Sequence, residues 1–239
     1  VEAPEAPIIK CADMPKLHVS DDSRKVLVQG DDFYVAFDKF TGTISNWRYQ
    51  GYNLIESGPN VNLWRAPTDN DANKAKLWRL MGLDRLMTSV RDAKVKICAP
   101  QVVQIRFTHV LSSYSQAPVC SADITYTVYG SGDIVLSADI VPTMASIPEH
   151  AKRLGLIKES DEFYLPRIGL QMEMPGQYDR FEWYGRGPHE SYADRKESAL
   201  VGRYKGMVED QFVPYIKPQE NGNKSDVRWA GITNIRGTG

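Results

Sequence analysis

Asp123-Ile124-Thr125-Tyr126-Thr127-Val128-Tyr129, Gly130-Ser131-Gly132 and Asp133-Ile134-Val135-Leu136-Ser137-Ala138-Asp139-Ile140 follow one another without interruption, and their reading decides the fold class. In the first run Ile124, Tyr126 and Val128 alternate with Thr125 and Thr127, the period of two that a half-buried strand requires. The glycines are expected to supply the positive-φ positions of a tight loop, because residues without a Cβ enter that region freely. The third run then returns as the partner strand of a hairpin.

The same signal extends in both directions. Upstream, Lys25–Gln29 and Asp32–Asp38 read as two strands split by Gly30, with Phe33, Val35 and Phe37 on one face. Lys39-Phe40-Thr41-Gly42 is a turn and Thr43–Tyr49 the returning strand. Lys94–Ile97, Val102–Phe107, Ile168–Met174, Arg180–Tyr184 and Asp226–Asn234 are further strand candidates. One stretch, Lys74–Leu86, has helical spacing: Leu77, Leu80, Met81 and Leu83 share a face, although Gly82 costs about 1 kcal/mol there. Pro148–Leu165 reads as a loop with a short helix. The glycine- and proline-rich stretch from Gly185 to Gly222 reads as long ordered loops over a sheet edge. Many short strands with turns between them define an all-β sandwich or barrel. The three prolines of Val1–Pro15 mark residues 1–16 as an extended linker and lead-in, with the β-domain at 17–239. The strand that ends near Asn234 lacks a following partner, so this domain is expected to continue past Gly239.

Composition removes several function classes. Lys plus Arg number 29 against 30 Asp plus Glu, a net charge of −1, which offers no cationic excess for counterion release, so no nucleic-acid partner is expected. The apolar runs fall far short of the ~20 residues that span a bilayer, so no membrane partner is expected either. Cys11, Cys98 and Cys120 are odd in number and far apart, with no CxxC pair. They are read as buried or half-buried thiols, outside any disulfide framework or zinc site.

Three segments are too polar and too punctuated for core strands: Trp64-Arg65-Ala66-Pro67-Thr68-Asp69-Asn70-Asp71, Trp183-Tyr184-Gly185-Arg186-Gly187-Pro188-His189-Glu190-Ser191-Tyr192-Ala193-Asp194-Arg195, and Pro214-Tyr215-Ile216-Lys217-Pro218-Gln219-Glu220-Asn221-Gly222. Each mixes aromatics with amides, carboxylates and arginine. A pyranose presents an apolar C–H face to an aromatic ring and hydroxyls to bidentate polar groups, so the mixture suits sugar. It equally suits architecture. Asp69, Asn70 and Asp71 can form Asx-turns and cap a helix beginning near Ala72, while Arg65, Arg186 and Arg195 can tie loops to carboxylates. Glu182, Glu190, Asp194 and Glu220 are candidate carboxylates for glycoside hydrolysis, whose two acids must face one bond. His189 beside Glu190 is a candidate acid–base pair only if both lie in a turn, since strand neighbours point to opposite faces.

The motifs WRAPTDND, YGRGPHESYADR and PYIKPQENG, followed by Arg228-Trp229, resemble the C-terminal small-chain domain of bacterial β-galactosidases of glycoside hydrolase family 2. The resemblance runs from about Leu17 onward and includes the FDKFTG hairpin. It implies a galactose-mutarotase-like supersandwich of two large antiparallel sheets. It also implies a parent enzyme that hydrolyses terminal β-D-galactosides such as lactose with retention and acts as an oligomer. The acid/base and nucleophile glutamates would belong to a catalytic (β/α)8 barrel that nothing here resembles. That barrel and the other domains are the implied partners, with carbohydrate as substrate. No catalytic residue is carried over, no cofactor is expected in this chain, and a metal would belong to the barrel. Asp69, Asn70 and Asp71 become pocket-proximal candidates, joined by Trp183, Arg186, His189 and Glu190 as sugar-contact candidates. Ser191 stands where the family's GPxENY run has Asn. The family domain also continues to a sugar-lining tryptophan that has no counterpart here.

Two other classes share these features. A free-standing carbohydrate-binding module would need affinity for a sugar without a barrel. A mutarotase or aldose epimerase would need an acid and a base at an anomeric centre, for which His189 and Glu220 are the candidate pair.

Overall fold

Alternating apolar residues settle into strands where one face can be buried, and this chain does so along most of its length. A computed structural model describes residues 10–72, 74–114, 116–143, 153, 155 and 164–239. The strands, in chain order, begin with β1 (His18–Asp21), β2 (Lys25–Gln29), β3 (Phe33–Asp38), β4 (Thr43–Tyr49), β5 (Tyr52–Asn53) and β6 (Ser57–Asn62). Helix α1 (Lys74–Leu80) follows, then β7 (Met87–Ala99), β8 (Val102–Ser112), β9 (Cys120–Tyr129) and β10 (Ile134–Pro142). The chain closes with β11 (Gly169–Glu173), β12 (Arg180–Gly187), β13 (Leu200–Met207) and β14 (Trp229–Thr233). Every pairing between named strands is antiparallel, which bears out the all-β reading. The chain divides into two compact units, Val1–Trp64 with Lys76–Glu173, and Arg65–Ala75 with Met174–Gly239.

In the first unit β1 to β5 form a five-stranded sheet in chain order, β10-β9-β8-β7 a four-stranded one, and β11-β6 a two-stranded one. The decisive hairpin is β9–β10, in register from Ile134 opposite Val128 to Pro142 opposite Cys120. Val26, Val28, Val35 and Phe37 from one sheet and Ile105, Phe107, Ile124, Tyr126 and Val128 from the other are all buried. The rings of Phe37 and Tyr126 meet at 5.0 Å, so the five-stranded and four-stranded sheets bury their apolar faces together. The Tyr126 hydroxyl is satisfied in that core by the Pro59 carbonyl at 3.4 Å, as a buried phenol requires.

Several local expectations are corrected. The helix ends at Leu80, well short of Leu86, because Gly82 adopts left-handed φ and ψ of 71° and 26° and the chain continues as a 3-10 turn at Leu83–Arg85. Trp78 of α1 is fully buried and donates from its indole to the Tyr164 carbonyl at 3.0 Å. Of the two loop glycines only Gly132 has a positive φ. Gly130 is needed for closeness, since a Cβ there would lie 2.0 Å from the Pro15 carbonyl oxygen. Cys120 is buried, but Cys11 and Cys98 are exposed. The reading of Pro148–Leu165 falls almost wholly outside the described residues, as do residues 1–9 of the linker, and in the described remainder the extended reading is corrected by a 3-10 turn at Cys11–Asp13.

The second unit carries a three-stranded sheet, β13-β12-β14. Trp183 on β12 is its buried centre, stacked on Phe181 at 4.8 Å and near Tyr204 at 5.5 Å. β13 was read from sequence as loop. Its glycines earned that reading, yet Leu200–Met207 pairs with the whole of β12.

Candidate functional site

In the first motif, Asp71 gathers the local donors. Arg65 grips it with both guanidinium ends, Nη1 to Oδ2 at 2.6 Å and Nη2 to Oδ1 at 3.1 Å. The Thr68 backbone N–H and hydroxyl donate to Oδ2 at 2.7 and 2.9 Å. Burial pushes the Asp71 carboxyl upward, but Arg65 and Thr68 outweigh it and hold the group below its ordinary value. Thr68 and Asp71 thereby form a capping box around the 3-10 turn Asp69–Asp71, one residue cluster earlier than the helix cap expected from sequence. Asp69 is exposed and pairs with Lys217 of the third motif at 2.9 Å, a surface contact of at most about 1 kcal/mol. Asn70 is exposed.

The second motif begins as strand and leaves the sheet after Gly187. A Cβ on Gly187 would lie 2.7 Å from the Tyr204 ring and 3.0 Å from the Trp183 ring, so only glycine lets the chain cross these aromatics. Trp183 donates from its indole to the Arg186 carbonyl at 2.9 Å. Arg186 bonds Asp226 at 2.6 Å and the carbonyls of Lys196 and Ala199, each at 2.9 Å, which binds three segments at one guanidinium. Ser191 is fully buried. Its hydroxyl accepts from the Ser225 N–H at 3.0 Å and its carbonyl from the Asn223 amide at 2.6 Å.

His189 and Glu190 lie in the bend beyond β12, where neighbouring side chains can converge, but their chemistry stays separate. Both His189 ring nitrogens face backbone carbonyls, those of Glu190 at 2.7 Å and Ser198 at 3.3 Å. Glu190 is only 8% exposed. Its Oε1 accepts from Arg195 and from the Tyr215 hydroxyl, and its Oε2 from the Gly222 N–H at 2.8 Å. Burial works against the Glu190 charge, yet Tyr215, Gly222 and Arg195 hold its carboxyl below the ordinary 4.5. Glu190 is thus the anion that locks the second motif to the third.

That lock has a pH signature. A carboxyl depressed by folding stabilises above its unfolded value, and the gain is lost as pH falls through the folded one. Acid unfolding of the wild-type chain is therefore expected to steepen below about pH 4.5. Glu190→Gln should lower stability at pH 7 by about 2 kcal/mol, the scale of charge-assisted hydrogen bonds, and shrink that acid-dependent component. Urea titrations from pH 7 to pH 3 check this, and parallel wild-type and variant pH curves would refute it.

Within the second unit an open depression of about 480 Å³ brings His189 and Glu190 together with Arg195, Ser198, Tyr215 and Lys224. Asp69, Asn70, Asp71, Trp183 and Arg186 are not among its lining residues. The sequence reading did not single out Lys224 or Ser198. Lys224 is a lone lysine after the third motif, and no local pattern marks its approach to the second. The only signal was the density of polar residues at both ends.

The family described as beta galactosidase small chain matches residues 29–237, and the chain belongs to that family. It is 34% identical over 98% of its length to a β-galactosidase of Priestia megaterium, covering 21% of that protein. It is 29% identical over 92% of its length to one from Psychromonas ingrahamii, again 21% of the relative. With a β-galactosidase of Lactobacillus delbrueckii subsp. bulgaricus the identity is 31% over 88% of this chain and 19% of the relative. The chain spans about a fifth of the length of the curated relatives it matches.

Proposed function

We propose that this chain is the C-terminal sandwich portion of a glycoside hydrolase family 2 β-galactosidase that cleaves terminal β-D-galactosides with retention. Its part is architectural: it packs on the catalytic (β/α)8 barrel and shapes the sugar pocket, while the acid/base and nucleophile come from the barrel. The observation that carries this reading is the state of the motif carboxylates. Retaining hydrolysis requires two carboxyls about 5–5.5 Å apart, one of them raised so that it can donate a proton. Asp71 and Glu190 are instead each surrounded by donors and held below their ordinary values. His189, with both nitrogens turned to carbonyls, gives little support to a mutarotase.

The test is direct. The purified chain is expected to show no turnover of nitrophenyl β-galactoside and no acceleration of galactose anomer interconversion by polarimetry. Mixing it with a protein that carries the rest of the enzyme should restore hydrolysis. Turnover by the chain alone, or anomer interconversion lost on His189→Ala, would overturn the architectural reading. Saturable galactose binding without turnover would instead favour a carbohydrate-binding module.

A further inference from the structure

Lys224 carries a charge that its surroundings leave unmatched. Its Nζ donates to the Pro188 carbonyl at 3.2 Å and lies 4.9 Å from the centre of the buried Trp183 ring. Among the described residues it forms no ion pair. The acid whose field it feels is Glu190, and both oxygens of Glu190 are taken by Arg195, Tyr215 and Gly222. One carbonyl leaves two of the three ammonium N–H groups without a protein acceptor. Burial accordingly pushes the amine below its ordinary 10.5, the response of a cation that lacks a counter-charge.

The same depression holds three further relevant groups. Arg195 is 56% exposed at its side chain and engages only Nη2, with Glu190 and Tyr215, which leaves the rest of the fork uncommitted. Ser198, an exposed residue that carries a hydroxyl, also lines it. Asp210 is the one other carboxylate of the lining; it is exposed and accepts from the Met207 N–H at 3.1 Å. The lining thus holds two cations and two carboxylates, but solvent screens Asp210 and the oxygens of Glu190 are already taken by Arg195, Tyr215 and Gly222, so the half-buried Lys224 is the charge of the depression without an ion-pair partner among the described residues. Its volume, about 480 Å³, is that of a small-molecule site.

We propose that this depression binds a small oxyanion, a phosphate or a carboxylate, between the Lys224 ammonium, the uncommitted N–H groups of Arg195 and the Ser198 hydroxyl. Occupancy supplies the missing counter-charge and fastens the Lys224 segment to the bend after β12. A ligand that binds only the folded chain raises its stability in proportion to the logarithm of its concentration over Kd. This site needs neither the barrel nor the galactoside, so it stands or falls apart from the architectural reading.

The experiment titrates the 239-residue chain with inorganic phosphate against chloride at matched ionic strength, by calorimetry and thermal unfolding, with sodium galacturonate in a parallel arm. Saturable phosphate heat and a saturating rise in Tm are expected. Lys224→Met should weaken binding by roughly tenfold or more, the size of one charge-assisted contact, while Lys224→Arg retains it. If Lys224→Met does not fold, Ser198→Ala, at an exposed position, should still weaken binding several-fold. The tighter of phosphate and galacturonate identifies the anion source. Phosphate also stabilises proteins by exclusion from their surfaces, but that effect does not saturate at millimolar concentration. A non-saturating rise equal in wild type and Lys224→Met, or no saturable heat in wild type, would overturn the proposal.

Discussion

Replacing Trp183 by alanine is expected to cost about 3–5 kcal/mol, the range for a large aromatic removed from a core. The reason lies in how little else the second unit buries. Among its described residues the buried apolar side chains are Ala75, Tyr178, Trp183 and Ala199, and two of those are alanines. Trp183 is 1% exposed and is the largest of the four. It stacks on Phe181 of its own strand and meets Tyr204 of β13. It also donates to the Arg186 carbonyl and lies beneath the Lys224 ammonium. Alanine removes the stack, the indole donor and the cation–π partner together. Trp183→Phe keeps the stack and loses the donor, and should cost about 1–2 kcal/mol. Urea unfolding followed by near-ultraviolet circular dichroism measures both. An alanine variant within 1 kcal/mol of wild type would show that the unit is held mainly by its ion pairs.

Those ion pairs mark the boundary of what could be read from the sequence. Strands with one buried face were legible, because β-branched and aromatic residues alternate in β2, β3, β8 and β9 whatever their partners are. The helix was legible but its end was not: Gly82 looks the same whether it continues a helix at some cost or stops it at positive φ. β13 was missed because Gly202 and Gly206 read as breakers, whereas here they sit beside Tyr204 and Gln211 side chains that would crowd a Cβ at 3.2 and 3.0 Å. β6 was missed because Ser57-Gly58-Pro59-Asn60 has no strand propensity of its own, and only pairing with β11 makes it one. The motif residues were found as polar clusters, but their roles depend on distant partners. Glu190 is completed by Tyr215 and Gly222, 25 and 32 residues away. Nothing in the spacing of a carboxylate tells whether three donors will converge on it or a substrate will.

Gly42→Ala is the second change expected to have a large effect, and it should act through His109. Gly42 ends the β3–β4 turn at a φ of 70°, where an L-residue costs about 1 kcal/mol or more. A Cβ there would also lie 2.1 Å from His109 Nε2 and 2.8 Å from Val90 Cγ2. His109 cannot easily withdraw, because it is 3% exposed and its ring stacks on Phe107 at 6.2 Å. Overpacking a core adds about 1–3 kcal/mol, so the total should be roughly 2–4 kcal/mol. The two costs separate in a double-mutant cycle. In a His109→Ala background the steric part should vanish and Gly42→Ala should cost only about 1 kcal/mol. The histidine brings its own signature. Both ring nitrogens are buried without a hydrogen bond of good geometry; the Gly42 backbone is near enough to favour the imidazolium slightly, but burial dominates and lowers the ring below its ordinary 6.5. The unfolded chain then binds the proton more tightly, so stability is complete above about pH 6.5 and declines as pH falls toward the folded value. His109→Phe should remove that decline below about pH 6.5, which sets in at a higher pH than the one governed by Glu190. Equal costs for Gly42→Ala with and without the histidine would show that the turn's φ alone excludes other residues.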